Sequence, residues 1–133
     1  MGFLDFLSGR EQPQDGVFRI HAEFHPYSLK PHANDYLDLE VTVENTSREK
    51  ALTSVKVVTE KGIGVDMSAI SQTREVRMGE IEPGGKKFVK TQIWGTQRTE
   101  KGTYSIDIYA VAHERDYAHV RNQARKPLTL RVE

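Results

Sequence analysis

The chain has 133 residues and a mass of 15.1 kDa, enough for one domain around a single core and too short for two of ordinary size. Lysine plus arginine number 19 and aspartate plus glutamate also 19, so the net charge is zero, bulk charge gives no basis for non-specific nucleic-acid binding, and no nucleic-acid partner is expected. Cysteine is absent, which excludes disulfide scaffolds, thiol nucleophiles, cysteine zinc sites and Fe–S clusters.

The first seven residues, Met1-Gly2-Phe3-Leu4-Asp5-Phe6-Leu7, are mostly apolar. They lack a basic leading region and fall short of the apolar core of a secretory signal. Phe6 stands where a myristoylation motif takes serine or threonine. No stretch of the sequence approaches the roughly 20 apolar residues of a spanning helix, and the expectation is a cytoplasmic protein, with peripheral membrane contact as an alternative. Residues 8–16, rich in glycine, proline and polar side chains, read as a flexible linker. The chain therefore divides into an N-terminal segment, 1–16, and a domain, 17–133.

From Val17 onward apolar and polar residues alternate, the signature of half-buried strands. The first strand places Phe18, Ile20, Ala22 and Phe24 inward and Arg19, His21 and Glu23 outward, before Pro26, Pro31 and Asn34-Asp35 break the chain. In the second, Leu37, Leu39, Val41 and Val43 alternate with Asp38, Glu40, Thr42 and Glu44 up to Asn45. A helix would scatter those four aliphatics around its circumference, whereas a period of two lines them up. The third runs over Val55–Thr59 and is closed by Lys61-Gly62 and Gly64, with an irregular extension over Val65–Ile70. In the fourth, Val76 and Met78 share a parity that Ile81 breaks, and a bulge at Gly79 restores the register.

Glu82-Pro83-Gly84-Gly85 is a turn, because proline fixes one φ and glycine accepts the positive φ that follows. The fifth strand points Val89, Thr91 and Ile93 one way and Phe88, Lys90, Gln92 and Trp94 the other. In the sixth, Tyr104, Ile106, Ile108, Ala110 and Ala112 face inward, and Ser105, Asp107, Tyr109, Val111 and His113 face outward. The seventh carries Leu128, Leu130 and Val132, and its parity extends back through Lys126, Ala124 and Asn122 to Val120. That extension favours a long hairpin turning near Asp116 and Tyr117; the competing reading makes Asp116 the N-cap of a short helix over 117–125.

About seven short strands and no long helix predict an all-β fold, an immunoglobulin-like antiparallel β-sandwich preceded by the short apolar segment, with a closed barrel as the alternative. Tyr104 stands where a tyrosine corner would tie the preceding connection to the sandwich. Three motifs support the same architecture: Leu37 to Asn45, Gly79-Glu80-Ile81-Glu82-Pro83-Gly84, and Gly102-Thr103-Tyr104-Ser105-Ile106-Asp107-Ile108. Together they resemble the CARDB and related immunoglobulin-like modules of archaeal and bacterial proteins over about residues 17–132. That resemblance implies a non-catalytic adhesion or interaction module.

No nucleophile elbow, phosphate loop or dinucleotide fingerprint is present in the sequence, and no enzyme activity or cofactor is expected. The five histidines lack the spacing of a zinc site and read as surface residues. Charge is unevenly placed. Asp35, Asp38, Glu40, Glu44 and Glu49 outweigh Arg48 in one segment, while Lys86, Lys87, Lys90, Arg98 and Lys101 dominate a second. Arg115, Arg121, Arg125, Lys126 and Arg131 dominate a third. The two basic segments could share a sheet and form a dipolar surface; the simpler reading pairs opposite charges across neighbouring strands.

The leading expectation is an interaction module with a protein partner. Its candidate contacts are Phe3, Leu4, Phe6 and Leu7 in the N-terminal segment, and Arg115, Tyr117, Arg121, Arg125 and Trp94 on the domain. Membrane attachment through the Phe/Leu segment, a small-ligand or carbohydrate site on outward aromatics such as Trp94 and Tyr109, and homodimerisation through a free sheet edge are the alternatives.

Overall fold

A computed structural model describes residues 16–133, which form eight strands in two sheets packed face to face as an immunoglobulin-like β-sandwich. The strands are β1 (Phe18–His25), β2 (Ser28–Leu29), β3 (Asp35–Asn45), β4 (Ala51–Thr59), β5 (Thr73–Ile81), β6 (Lys86–Gly95), β7 (Gly102–His113) and β8 (Val120–Val132). One sheet has the order β1-β3-β6 and the other β2-β8-β7-β4-β5. All pairings are antiparallel except that of β2 with the end of β8. The chain changes sheets between β1 and β2, β2 and β3, β3 and β4, β5 and β6, and β6 and β7.

The inward residues of each alternation meet in one core. Leu37, Leu39, Val41 and Val43 from β3 pack with Val55 and Val57 from β4, Ile93 from β6, Ile106 and Ile108 from β7, and Leu130 and Val132 from β8. Phe18 is buried, and Ile20, Ala22 and Phe24 line the rim of that core. The hairpin reading holds, with Asp116 in its turn. The Asp116 carboxylate accepts from the Ala118 amide at 3.0 Å and lies 2.7 Å from His119 Nδ1, an Asx turn that uses the same side-chain chemistry as the N-cap it could have been.

The sequence leaves β2 unread. It lies inside the proline-bounded loop, where Leu29 is the one large aliphatic residue, yet Leu29 is buried beside the end of β8, paired with Val132. The third predicted strand also begins earlier, at Ala51. Val120 departs from its predicted parity. His113 pairs with Val120 and Ala112 with Asn122, so Arg121 is an extra residue in β8 and Val120 turns outward, 63% exposed.

Three polar devices hold the connections. Gly79, at φ 77°, pairs with Thr53 while Arg77 pairs with Ser54, which leaves Met78 as the extra residue of the predicted bulge. The Glu82–Gly85 turn closes with Gly85 N–H donating to the Glu82 carbonyl at 2.8 Å, and Gly84 has φ 76°. Tyr104 makes the corner: its hydroxyl donates to the Glu100 carbonyl at 2.7 Å and accepts from the Glu100 amide at 3.1 Å. Gly62 lies against its ring, where an added Cβ would come within 2.8 Å of Tyr104 Cε2. Tyr104→Phe is expected to lose about 1–2 kcal/mol of stability through both bonds, read as a lower urea midpoint at unchanged m.

Candidate functional site

The two basic segments do not share a sheet. Residues of 86–95 lie on β6 in the three-stranded sheet and those of 120–131 on β8 in the five-stranded one. Each meets acidic neighbours instead. Glu44 faces Lys86 and Glu40 faces Lys90 across β3 and β6, Arg19 bonds Glu44 at 3.1 Å, and Arg125 holds Asp107 at 2.8 Å. Arg121 lies 3.6 Å from Glu49. Neutrality is thus met locally, strand against strand.

The hairpin candidates separate by role. Arg115 is exposed at the tip, in a left-handed conformation at φ 71°. Tyr117 folds back onto the outer face of the five-stranded sheet. Its hydroxyl accepts the Gly79 amide of the bulge at 2.9 Å, its ring stacks 4.7 Å beneath the Arg77 guanidinium, and its edge meets His113 at 5.0 Å. Lys87 Nζ donates to the Met78 carbonyl, the other polar group of that bulge, at 2.6 Å. Tyr117 is therefore a structural clasp rather than a free contact.

The same clasp corrects two exposure readings. Val111 and His113 have the outward parity predicted, but both are buried at 6% exposure, so His113 is not a surface histidine. His113 Nε2 sits 2.7 Å from Ser54 Oγ, while Nδ1 finds no hydrogen-bond partner among the described residues. A serine beside a histidine suggests a nucleophile and base, yet Ser54 is fully buried and no carboxylate among the described residues orients the ring. The pair has neither access for a substrate nor the third group that such catalysis uses.

Trp94 stands apart from the hairpin residues, on the other sheet and at the opposite end of the sandwich. Its ring lies 4.7 Å from that of Tyr36, its partner across β3 and β6. The Trp94 backbone exchanges two hydrogen bonds with Gly64, at 2.8 and 3.0 Å, so the 60–72 connection covers the β6 edge there. Further along that edge, Arg74 reaches over from β5 and donates to the Lys90 carbonyl at 3.3 Å and to Thr91 Oγ1 at 3.1 Å. Phe3, Leu4, Phe6 and Leu7 lie outside the described residues.

Seen from solvent, the outer face of β1-β3-β6 is a ladder of cross-strand rows: Arg19, Glu44 and Lys86; His21, Thr42 and Phe88; Glu23, Glu40 and Lys90; His25, Asp38 and Gln92; then Tyr36 and Trp94. Phe88 is 75% exposed in mid-strand. Beside it lies a shallow, open depression of about 550 Å³ lined by His21, Glu23, Glu40, Thr42, Phe88 and Lys90. Strand parity alone points Phe88 outward, as it does Trp94 and Tyr109, and does not distinguish it from them. The Tyr36–Trp94 pair and the full histidine–glutamate network below the depression emerge only with the strand order. A signal existed for part of the network: Glu23 has a histidine two residues away on each side, and a period of two sets all three on one face.

In that network Glu23 accepts from His21 at 3.2 Å and from His25 at 3.1 Å, and His25 also lies 3.5 Å from Glu40. The hydrogen bonds from His21 and His25 hold the Glu23 carboxyl below its ordinary value of 4.5. The stabilisation accompanying that shift is present above the unfolded carboxylate value and lost as pH falls through the lower folded one. In a carbon-detected NMR titration the Glu23 midpoint is expected below that of an ordinary glutamate, returning towards it in a His21→Val, His25→Val variant.

The free edges differ in their capacity to accept a strand. Glu133 N–H donates to the Leu29 carbonyl, so the backbone groups of Arg131, Thr129, Pro127 and Arg125 point to the same edge of β8. Pro127 has no N–H to offer there, which blocks continuous strand addition along β8. The outer edge of β1 carries no proline between Phe18 and His25.

No family model and no curated protein matches the chain. Among solved structures, it is similar to a chain of the crystal structure of the complex between zinc 2-glycoprotein and prolactin inducible protein from human seminal plasma. That match has 17% identity and a TM-score of 0.56, covering 90% of this chain and 100% of the other. It is also similar to a PapD-like domain of human CEP192, at 15% identity and a TM-score of 0.47, covering 100% and 96%. A third match is BslA, a bacterial hydrophobin, at 12% identity and a TM-score of 0.45, covering 89% and 96%.

Proposed function

We propose that this chain is a non-catalytic protein-binding module of CARDB-like type whose contact surface is the outer face of the β1-β3-β6 sheet. The observation that carries the reading is Phe88, a large aromatic left 75% exposed in the middle of a regularly paired strand. Burying it at a contact is worth about 2 kcal/mol, roughly 30-fold in affinity. Polar side chains surround it, with His21 and Thr42 in its own row and Lys86 and Lys90 in the adjoining ones, in the manner of an apolar centre with a hydrophilic rim. The hairpin offers less, because Tyr117 and Arg125 are engaged within the domain. A solved structure that it resembles at a TM-score of 0.56 belongs to a two-protein complex, which is in keeping with a protein partner.

The face is narrow. Three strands about 4.8 Å apart and about 26 Å long present roughly 350–400 Å², half of what one partner contributes to an interface of standard size. A short apolar segment of another chain fits it better than a broad globular surface. Affinity capture from native lysate with the full chain and with Phe88→Thr tests the proposal. A protein retained by the first and lost with the second is the expected result; equal capture by both, or none by either, would contradict it.

A further inference from the structure

The chain itself contains a segment of the chemistry that this face would take. Phe3, Leu4, Phe6 and Leu7 are four apolar side chains within five residues, interrupted only by Asp5. We propose that this segment docks onto its own domain, over Phe88 and the depression beside it, so that an incoming partner must displace it. The inference rests on the reading of the β1-β3-β6 face as a contact surface and adds that the surface is self-capped.

Chain length and exit point carry the argument. The described chain begins at Gly16, and Val17 leads into β1, an edge strand of this same sheet. The Thr46 amide donates to the Val17 carbonyl at 2.8 Å, which anchors the exit beside the end of β3. From Val17 to the row of His21 is four residues, about 13 Å, and from β1 across to Phe88 on β6 is two strand spacings, about 10 Å. The diagonal is therefore about 16 Å. Residues 8–15 separate the apolar segment from the domain; eight residues of coil have a root-mean-square span of about 16 Å and a fully extended reach of about 26 Å. A tether whose mean span matches the distance holds its cargo at millimolar effective concentration, so a contact of about millimolar affinity or better, about 4 kcal/mol, is half occupied or more.

The face disfavours a second copy as the primary occupant. Its roughly 350–400 Å² falls well below the approximately 800 Å² per partner of a stable association, whereas a five-residue segment needs no more. The outer face of the other sheet is a poorer match. There Tyr109 carries Lys56 at 5.8 Å from its ring centre, and Asp107 is paired with Arg125.

Because the chain has no cysteine, Ser8→Cys in the full chain accepts a single nitroxide label, and amide signals report its surroundings. The expected result is loss of the Thr42, Phe88 and Lys90 amide signals with those of Tyr109 and Arg125 retained, and recovery of the lost signals when Phe88→Thr is added. Broadening shared by both faces, no loss at all, or no recovery in the Phe88→Thr protein would overturn the proposal. So would loss in a mixture of labelled protein with isotope-enriched unlabelled protein, since that would assign the segment to a second copy. Partner capture without signal loss leaves the contact surface standing and removes the self-cap. Signal loss without capture supports the cap and removes the partner reading.

Discussion

Asn45→Ala is expected to lower the unfolding free energy by about 3 kcal/mol, more than any other polar substitution considered. Asn45 ends β3 fully buried, and every polar atom of its side chain is used. Its Nδ2 donates to the carbonyls of Glu49 and Ile81, both at 2.8 Å, and its Oδ1 accepts from the Ser47 amide at 2.9 Å and the Ser47 hydroxyl at 2.7 Å. Its backbone continues the lock: the Asn45 amide donates to Gly85 and its carbonyl accepts from Gly84. One residue thus joins the β3 terminus, the 46–50 connection and the β5–β6 turn. Alanine strands the Ile81 carbonyl at a buried position and frees the 46–50 loop, each costing about 1–3 kcal/mol. Asn45→Asp is expected to do no better, because a carboxylate oxygen would face two carbonyls. Ser47→Ala, which removes a half-buried hydroxyl bonded to Asn45 Oδ1 and to the backbone of Glu49, is expected to cost about 1 kcal/mol. Urea denaturation of the three variants checks the order; an Asn45→Ala loss below that of Ser47→Ala would sink the account of this lock.

Leu39→Ala is expected to cost about 3–4 kcal/mol, against under about 0.5 kcal/mol for Phe88→Thr. Leu39 lies in the middle strand of the three-stranded sheet, flanked by Phe24 and Thr91 on the neighbouring strands, and none of it reaches solvent. Truncation removes its transfer free energy and leaves a cavity that regularly paired strands cannot collapse to fill. Phe88 is in the same sheet, one strand over, on the opposite face. Threonine there keeps a strand-compatible β-branched side chain and gives up an aromatic that the domain barely uses. Equal losses at the two positions would mean that Phe88 belongs to the fold rather than to a contact.

The parts of this structure legible in the sequence are those where local chemistry and tertiary demand coincide. Alternation from Leu37 to Val43 and from Tyr104 to Ala112 sorts core from solvent because period two is a property of the strand itself. Gly79, the Pro83-Gly84 pair and Tyr104 are each required by a backbone conformation or a connection only a few residues away. What stays hidden depends on long-range placement. Leu29 has no periodic neighbours, so only its pairing with Val132 makes it a strand residue. The bulge at Arg121 carries no glycine to announce it, and it alone turns Val120 outward.

Burial of His113 follows from the hairpin folding Tyr117 over it, which parity within β7 does not encode. The charge blocks were visible, but their pairing depended on topology: β6 lies beside acidic β3, and β8 meets Asp107 on β7. The candidate surface was half legible. Phe88 and Trp94 have the right parity, whereas the row that joins His21 to Phe88 through Thr42 and the stacking of Trp94 on Tyr36 require the strand order.

The central claim is that one face of the three-stranded sheet holds the fold while the other meets a partner. The most direct test measures Phe88→Thr twice, by urea denaturation and by affinity capture. The account predicts an unchanged midpoint with the partner lost. A lowered midpoint with binding retained would contradict it.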